Sequence, residues 1–323
     1  MASTNPKTMP LIGLGTWLSD NEEELDRALE TALELGYRHI DTAWIYKNEK
    51  VVGRVVKRWL DSGRITRKEL FIVTKLPICG IHPEKVAHFL NLSLQNLGLD
   101  YVDLYLIHVP FGLDSSGEND PIPISNGKVV IDSRTKLEAV WASMEAVVRN
   151  GKAASIGLSN CDSSQIERIV RVAKVPPACL QVEGHVYFQQ KELRATCARH
   201  GISVCAYSPL GSPGRGDFYQ NFGRTFKPLG LLSDSTVVRI AKKHGKSPAQ
   251  VCLRFLVQQG IAVIPKSVNA QRLKENLQIL DFELDSQDMK DLEGLDKGAS
   301  GRSLKFDFLP GIEDHPAFPK DMK

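Results

Sequence analysis

A closed (β/α)8 barrel is the fold class this sequence predicts, and three observations lead to it. Short runs rich in β-branched and apolar residues alternate with longer stretches of helical period, the pattern of βα units rather than hairpins. No G-x-G-x-x-G follows the first run, and Gly13-Leu14-Gly15 is too short to indicate a doubly wound dinucleotide-binding sheet. Nearly every run also finishes on a side chain able to ionise or hydrogen-bond, as expected of the rim where barrel enzymes keep their active sites.

In chain order, strands are expected at 11–14, 39–41, 70–75, 104–108, 155–159, 179–182, 203–207 and 262–265. Amphipathic helices are expected at 21–35, 49–61, 83–97, 135–150, 163–173, 189–200 and 248–259. Ser247-Pro248 reads as an N-cap followed by proline at the first helical position. Gly36, Gly98, Gly151, Gly201 and Gly260 each follow a helical run where a left-handed residue is wanted. Three stretches escape the alternation, 111–132, 211–232 and about 298–323, and their Gly, Pro, Ser and aromatic content suits lids. The first two leave C-terminal strand ends, and the last is expected to cover the active site.

A chain of 323 residues that is 42% apolar and 24% charged can bury one large core, so a single domain over 1–323 is expected. Its 41 basic and 38 acidic residues are interspersed, which leaves no field for nucleic acid or an anionic membrane. The six cysteines form no CxxC pair and no zinc spacing, and most sit in apolar runs as small core residues. No apolar run approaches the roughly 18 residues of a membrane span, and the start MASTNPKTMP lacks a secretory pattern. A soluble, cytoplasmic monomer acting on a small molecule, without a metal, is the expectation. Met1–Pro10 also looks short for a hairpin closing the barrel floor.

The rim residues carry the chemistry. Asp41 closes the second expected strand, Lys75 the third, His108 the fourth, Ser159 and Asn160 the fifth, Gln181 the sixth, Tyr207 and Ser208 the seventh, and Lys266 and Ser267 the eighth. Any one of these alone would be a solvated loop residue; together on one rim they form a site.

At these positions the chain resembles the aldo-keto reductase family over nearly its whole length. Gly36-Tyr37-Arg38-His39-Ile40-Asp41-Thr42-Ala43, with Glu49 and Val52-Gly53 beyond it, is similar to the family's first motif. Ile264-Pro265-Lys266-Ser267, with Arg272 and Glu275-Asn276 beyond it, is similar to the cofactor motif near the C-terminus. The middle motif keeps Ile156-Gly157-Leu158-Ser159-Asn160 but departs at Ala154 and Cys161.

The resemblance implies a catalytic tetrad of Asp41, Tyr46, Lys75 and His108, and reduction of aldehydes or ketones with NADPH. A carbonyl accepts hydride readily only if its oxygen gains a proton as charge develops. Tyr46 is the preferred donor, its phenol expected to be acidified by the Lys75 ammonium that Asp41 orients. His108 is the rival, since an unperturbed imidazole already titrates near neutral pH. The resemblance also places Thr16, Trp17, Ser159, Asn160, Gln181 and Tyr207 about the nicotinamide, with Ser208, Leu210 and Ser212 along the pyrophosphate. Lys266, Ser267, Val268 and Arg272 would hold the 2′-phosphate, and Glu275 and Asn276 the adenine.

The substrate wall is expected from Trp17, Trp44, Ile45, Tyr46, Pro77, His108, Val109 and Phe111, an apolar set suited to a lipophilic carbonyl compound. His108-Val109-Pro110-Phe111-Gly112 is most similar to insect members that reduce 3-dehydroecdysteroids, and long-chain aldehydes would fit the same space. Two other classes stay open: a cofactor-binding regulatory or structural member without turnover, and a Schiff-base aldolase using Lys75.

Overall fold

Eight parallel strands pair in sequence order in the computed structural model, which describes residues 7–322. They are β1 (Leu14–Gly15), β2 (His39–Asp41), β3 (Phe71–Leu76), β4 (Val102–Ile107), β5 (Ala153–Ser159), β6 (Cys179–Glu183), β7 (Ser203–Tyr207) and β8 (Ala262–Val263). Parallel bridges from Ile12 to Val263 and from Gly15 to Lys266 join the first segment to the last and roll the sheet into a (β/α)8 barrel.

That seam explains two differences from the expected strand limits. Residues 11–13 bond across to β8, with Gly13 N–H donating to the Val263 carbonyl (2.9 Å) and Val263 N–H to that of Leu11 (2.8 Å), so only Leu14 and Gly15 ladder with β2. β8 stops early because Pro265 has no N–H to extend its ladder. A Cβ on Gly15 would lie 2.6 Å from the Ile264 carbonyl oxygen, so the seam requires glycine there.

Because strand side chains alternate between faces, one inward column per strand runs from the packed barrel interior to the C-terminal rim. Phe71, Val73, Leu104, Leu106, Cys179, Cys205, Ala262 and Ile264 fill the interior. Two residues further along the same columns stand Lys75 after Val73, His108 after Leu106, Gln181 after Cys179 and Tyr207 after Cys205. The functional rim is therefore the top layer of the core.

Outside the barrel, the apolar faces of the helices cover the outward columns in one large cluster. The seven expected helices form as α1 (Glu22–Leu35), α2 (Glu49–Asp61), α3 (Val86–Leu97), α4 (Leu137–Arg149), α5 (Ser163–Val172), α6 (Lys191–Arg199) and, after two further helices, α9 (Pro248–Val257). α1 begins at Asn21, whose side chain accepts from Glu24 N–H at 3.0 Å, and ends at Gly36 with φ +105°. Four helices were not foreseen: α7 (Gly216–Gln220), α8 (Ser235–His244), α10 (Ala270–Leu277) and α11 (Ser286–Glu293). The signal was present in part, since Asp234, Asn269 and Asp285 each supply an N-cap and α8 and α10 are clearly amphipathic; α7 and α11 are the ones too short or polar to read.

The long stretch after β4 is less irregular than expected. Gly112–Leu113 pairs antiparallel with Ile131–Asp132, and Ile124–Ser125 with Lys128–Val129. His315 on the tail ties this insert down, its Nε2 donating to the Asp132 carbonyl at 2.8 Å. The stretch Met1–Pro10, expected to be too short for a hairpin closing the barrel floor, lies mostly outside the described residues, which begin at Lys7. Met9 packs beneath the barrel interior, and the Pro10 carbonyl accepts from His39 Nδ1 at 3.0 Å.

Gly15→Ala is expected to destabilise the fold by about 1–3 kcal/mol, since the seam has no room for a methyl group. Thermal unfolding of the purified variant measures this, and an unchanged midpoint would show that the seam can open at no cost.

Candidate active site

Lys75 is the centre of the rim. It is fully buried near the end of β3 and donates to Asp41 Oδ1 at 2.6 Å, to the Thr42 carbonyl at 2.9 Å and to the Tyr46 hydroxyl at 3.4 Å. The second Asp41 oxygen accepts from Gln181 Nε2 at 2.7 Å. Tyr46 ends a 3-10 turn after β2, and its hydroxyl lies 3.5 Å from His108 Nε2.

The electrostatics correct one expectation. Burial raises the Tyr46 pKa above the ordinary tyrosine value, and Lys75 recovers only part of that, with Asp41 working against it. The phenol is therefore not acidified overall. Burial also opposes the Lys75 charge, but Asp41 and Tyr46 outweigh it and hold the ammonium above its usual range. Burial and Lys75 together keep His108 well below the ordinary imidazole pKa. A neutral His108 is a poor proton source at neutral pH, which removes the main attraction of the rival assignment.

These groups open on a cavity of about 1050 Å³ between the rim and the long loops. Asp41, Tyr46, His108, Ser159, Asn160, Gln181, Tyr207, Ser208, Leu210 and Ser212 line one part of it. Lys266, Ser267, Val268, Arg272, Glu275 and Asn276 line another. Asn160 links two strand ends, donating from Nδ2 to the His108 carbonyl (2.9 Å) and accepting from the Tyr207 hydroxyl (2.7 Å). Asn160, Ser208 and Ser212 all hold positive φ, 57°, 50° and 43°, a clustering of left-handed non-glycine residues that marks functional rims.

Four expected contacts fall elsewhere. Thr16 is buried behind the wall, its hydroxyl donating to the Asp41 carbonyl at 3.0 Å. Trp44 turns outward onto Phe89 of α3, with ring centroids 4.9 Å apart. Phe111 is fully buried against Phe306 and Phe318, and so supports the tail instead of meeting the cavity. Pro77 caps the 3-10 turn Ile78–Gly80 and is absent from the lining, where Ile78 takes part. Trp17, Ile45 and Val109 do line it.

Phe218 and Phe222 from the loop after β7, and Leu304, Phe306 and Phe308 from the tail, complete the apolar wall. Sequence reasoning saw lids but not these side chains. The available signal was Phe218, Phe222 and Phe226 at four-residue spacing, and Phe306-x-Phe308, in stretches otherwise free of periodicity.

The tail is anchored by Glu183, the buried last residue of β6. Its carboxylate accepts from Ser303 N–H (3.0 Å), Leu304 N–H (2.9 Å) and His185 Nε2 (3.1 Å), and also from the Ser303 hydroxyl. Burial alone would raise this pKa, but His185, Ser303 and Arg215 pull it down to about 2. All six cysteines are free and buried, and burial pushes Cys79 and Cys197 each up to about 11, away from thiolate chemistry.

A parallel barrel with a buried ammonium, carboxylate and phenol at the mouth of a long cleft is the framework of a barrel oxidoreductase. Residues 11–297 match the model of the Aldo/keto reductase family, and the chain belongs to that family. It is 42% identical to Aldo-keto reductase family 1 member A1 of Cricetulus griseus, with 96% of this chain and 95% of that one covered. The Homo sapiens protein of the same name is 42% identical, over 90% and 86% of the two chains. Aldose reductase from Schistosoma japonicum superposes with a TM-score of 0.85 at 36% identity, covering 97% and 96%. The chain is thus an oxidoreductase, and carbonyl reduction is its class of reaction. No helix among the described residues is long and apolar enough to cross a membrane.

The Glu183 carboxylate yields a pH expectation. Its folded-state pKa of about 2 lies below the ordinary 4.5, so its contribution is fully present above pH 4.5 and is lost as pH falls toward 2. The shift corresponds to about 3 kcal/mol. Glu183→Gln should remove most of that acid dependence; urea unfolding of parent and variant between pH 6 and pH 3 reads it, and parallel curves would assign the acid sensitivity elsewhere.

Proposed function

We propose that this chain reduces bulky lipophilic aldehydes and ketones to alcohols with NADPH, Tyr46 giving the proton. The observation that carries the reading is the Tyr46 hydroxyl on the cavity wall, within 3.4 Å of Lys75 Nζ and 3.5 Å of His108 Nε2.

The residues fit the cofactor. The cavity exceeds the roughly 300–1,000 Å³ usual for one ligand, which leaves room for cofactor and substrate together. Lys266 is exposed overall, yet desolvation lowers its pKa despite the pull of Glu24 and Asp20. Neither Lys266 nor Arg272 has an ion-pair partner among the described residues; Lys266 lies in the turn between β8 and α10, and Arg272 in the first turn of α10. Two uncommitted cations beside helix N–H groups suit the 2′-phosphate. Ser267 and Val268 would assist there, Glu275 and Asn276 would hold the adenine, and Ser208, Leu210 and Ser212 the pyrophosphate. Ser159, Asn160 and Gln181 would hold the carboxamide, and Tyr207 and Trp17 would flank the nicotinamide. When bound, NADPH supplies hydride to the carbonyl carbon.

The chain's part is to orient that carbonyl and protonate its oxygen. A raised pKa keeps Tyr46 protonated and able to donate at neutral pH. Its cost appears once the phenolate forms, and the ammonium 3.4 Å away then offsets it by up to roughly 5 kcal/mol at an effective dielectric of ~20. Asp41 reduces that gain but fixes Lys75 as a charged, oriented group. Neutral His108 orients the carbonyl oxygen beside the phenol. A mostly aromatic and aliphatic wall, with Val109 beside the reacting centre, suits 3-oxo ecdysteroids, other steroids or long-chain aldehydes better than small polar sugars. The six free, buried thiols suit a reducing compartment, the cytoplasm. Every assigned residue comes from one chain, so a monomer of a single domain, with the tail from 298 as its cover, is sufficient.

Tyr46→Phe is expected to abolish carbonyl reduction while leaving NADPH binding within about twofold, measured by steady-state rates and fluorescence titration. Turnover within tenfold of the parent would return the acid role to His108. A parent that binds NADPH but reduces no carbonyl compound would instead be a regulatory or structural member.

Lys266→Met and Arg272→Met should each weaken NADPH binding about tenfold or more and leave NADH nearly unchanged, as loss of a charge-assisted contact requires. Equal losses for both cofactors would reassign these residues to stability.

A further inference from the structure

Arg215 is a fully buried cation that the chemistry above does not use. It lies in the loop after β7 and has no carboxylate partner among the described residues. One arm of its guanidinium donates to the Ser208 hydroxyl at 2.8 Å, and the other to the Ser303 hydroxyl at 3.2 Å. Its Nε has no partner at all. Trp17 and Phe226 pack against the group, with their ring centroids 5.3 and 5.5 Å from Cζ.

A buried charge bonded directly to two neutral hydroxyls, and meeting the Glu183 carboxylate only through Ser303 rather than in an ion pair, is a costly way to stabilise a loop. The forked geometry suggests the reason for keeping it. Ser208 belongs to the stretch assigned to the pyrophosphate, whereas Ser303 belongs to the tail and donates onward to Glu183. The same two segments meet again where Phe218 packs on Phe308 at 5.1 Å and Arg224 pairs with Asp307 at 3.1 Å. Lysine offers one nitrogen and could not span both hydroxyls in this way.

We propose that Arg215 is a positioning residue that latches the cofactor-holding loop to the substrate-covering tail, so that cofactor retention and closure of the substrate wall depend on each other. The proposal rests on the NADPH reading above. Opening the loop at Ser208 pulls on Ser303, and a tail displaced from Glu183 releases Arg215 and the loop with it. Trp17, packed against the guanidinium, carries the same displacement to the substrate side.

The test uses the full-length protein and three variants. Arg215→Met removes the charge, Arg215→Lys keeps the charge without the fork, and Ser303→Ala cuts the arm to the tail together with the hydroxyl's bond to Glu183, leaving the backbone N–H bonds that hold the tail there. NADPH release is followed by stopped-flow fluorescence; both Arg215 variants should release at least tenfold faster, and Ser303→Ala at least threefold faster although Ser303 is not on the loop. KM for a four-ring ketone should rise at least fivefold more than KM for a small aromatic aldehyde. Without cofactor, trypsin should cut after Arg224 at least fivefold faster in all three variants. Parent-like release and cleavage in Arg215→Lys or Ser303→Ala would overturn the latch, even if Arg215→Met were unstable. A parent that fails to bind NADPH would overturn the functional reading instead, and the cleavage comparison would still decide whether the latch exists.

Discussion

The ion pair between Lys75 and Asp41 is the constraint from which the rest of the site follows. Both groups sit in the top layer of the barrel interior, where an unpaired charge would be untenable, so each forces the other's position at 2.6 Å. The Thr42 carbonyl and the Gln181 amide take up their remaining hydrogen bonds, which ties β2, β3 and β6 to one point. Tyr46 can approach the ammonium because the chain turns back immediately after β2. His108 faces the same phenol because β4 carries its alternation one residue past its ladder. The pair makes little claim as a source of net stability; it specifies geometry.

A second buried carboxylate does for the cover what Asp41 does for the floor. Glu183 stands two residues beyond Gln181 in the same inward column, and its acceptor oxygens are spent on Ser303 and Leu304 of the tail. The barrel thus reaches upward through β6 to hold a segment more than a hundred residues away in the chain. The apolar wall is built on that anchor, with Phe111 packed on both Phe306 and Phe318.

What the sequence made legible and what it hid divide along physical lines. Strand positions and the residues closing them were readable because period two and period 3.6 are imposed by burial, and the columns ending in Asp41, Lys75, His108 and Gln181 obey that rule. Strand limits at the seam were not, because hydrogen bonds between residues 11–13 and β8 leave no trace in composition. Trp44, Phe111 and Pro77 were assigned to the cavity because they neighbour catalytic residues in sequence, but adjacent residues point in different directions, and Trp44 turns onto Phe89. Arg215 and Phe218 were not placed because they sit at a helix of barely more than one turn, too short for its period to show which way each side chain faces. The sign of the Tyr46 shift was missed for a related reason: spacing reveals a neighbouring charge but not the water that is excluded.

The tail anchored at Glu183 also sets an order on biosynthesis. Residues 298–322 follow the entire barrel in the chain, so the ammonium, carboxylate and phenol can assemble while the substrate wall is still being made. During that interval the aromatic side chains of the loop after β7 have no partners from the tail and face water. A barrel whose tail has not yet docked therefore carries an exposed aromatic patch, which is covered when Ser303 and Leu304 reach Glu183 and Phe308 packs on Phe218.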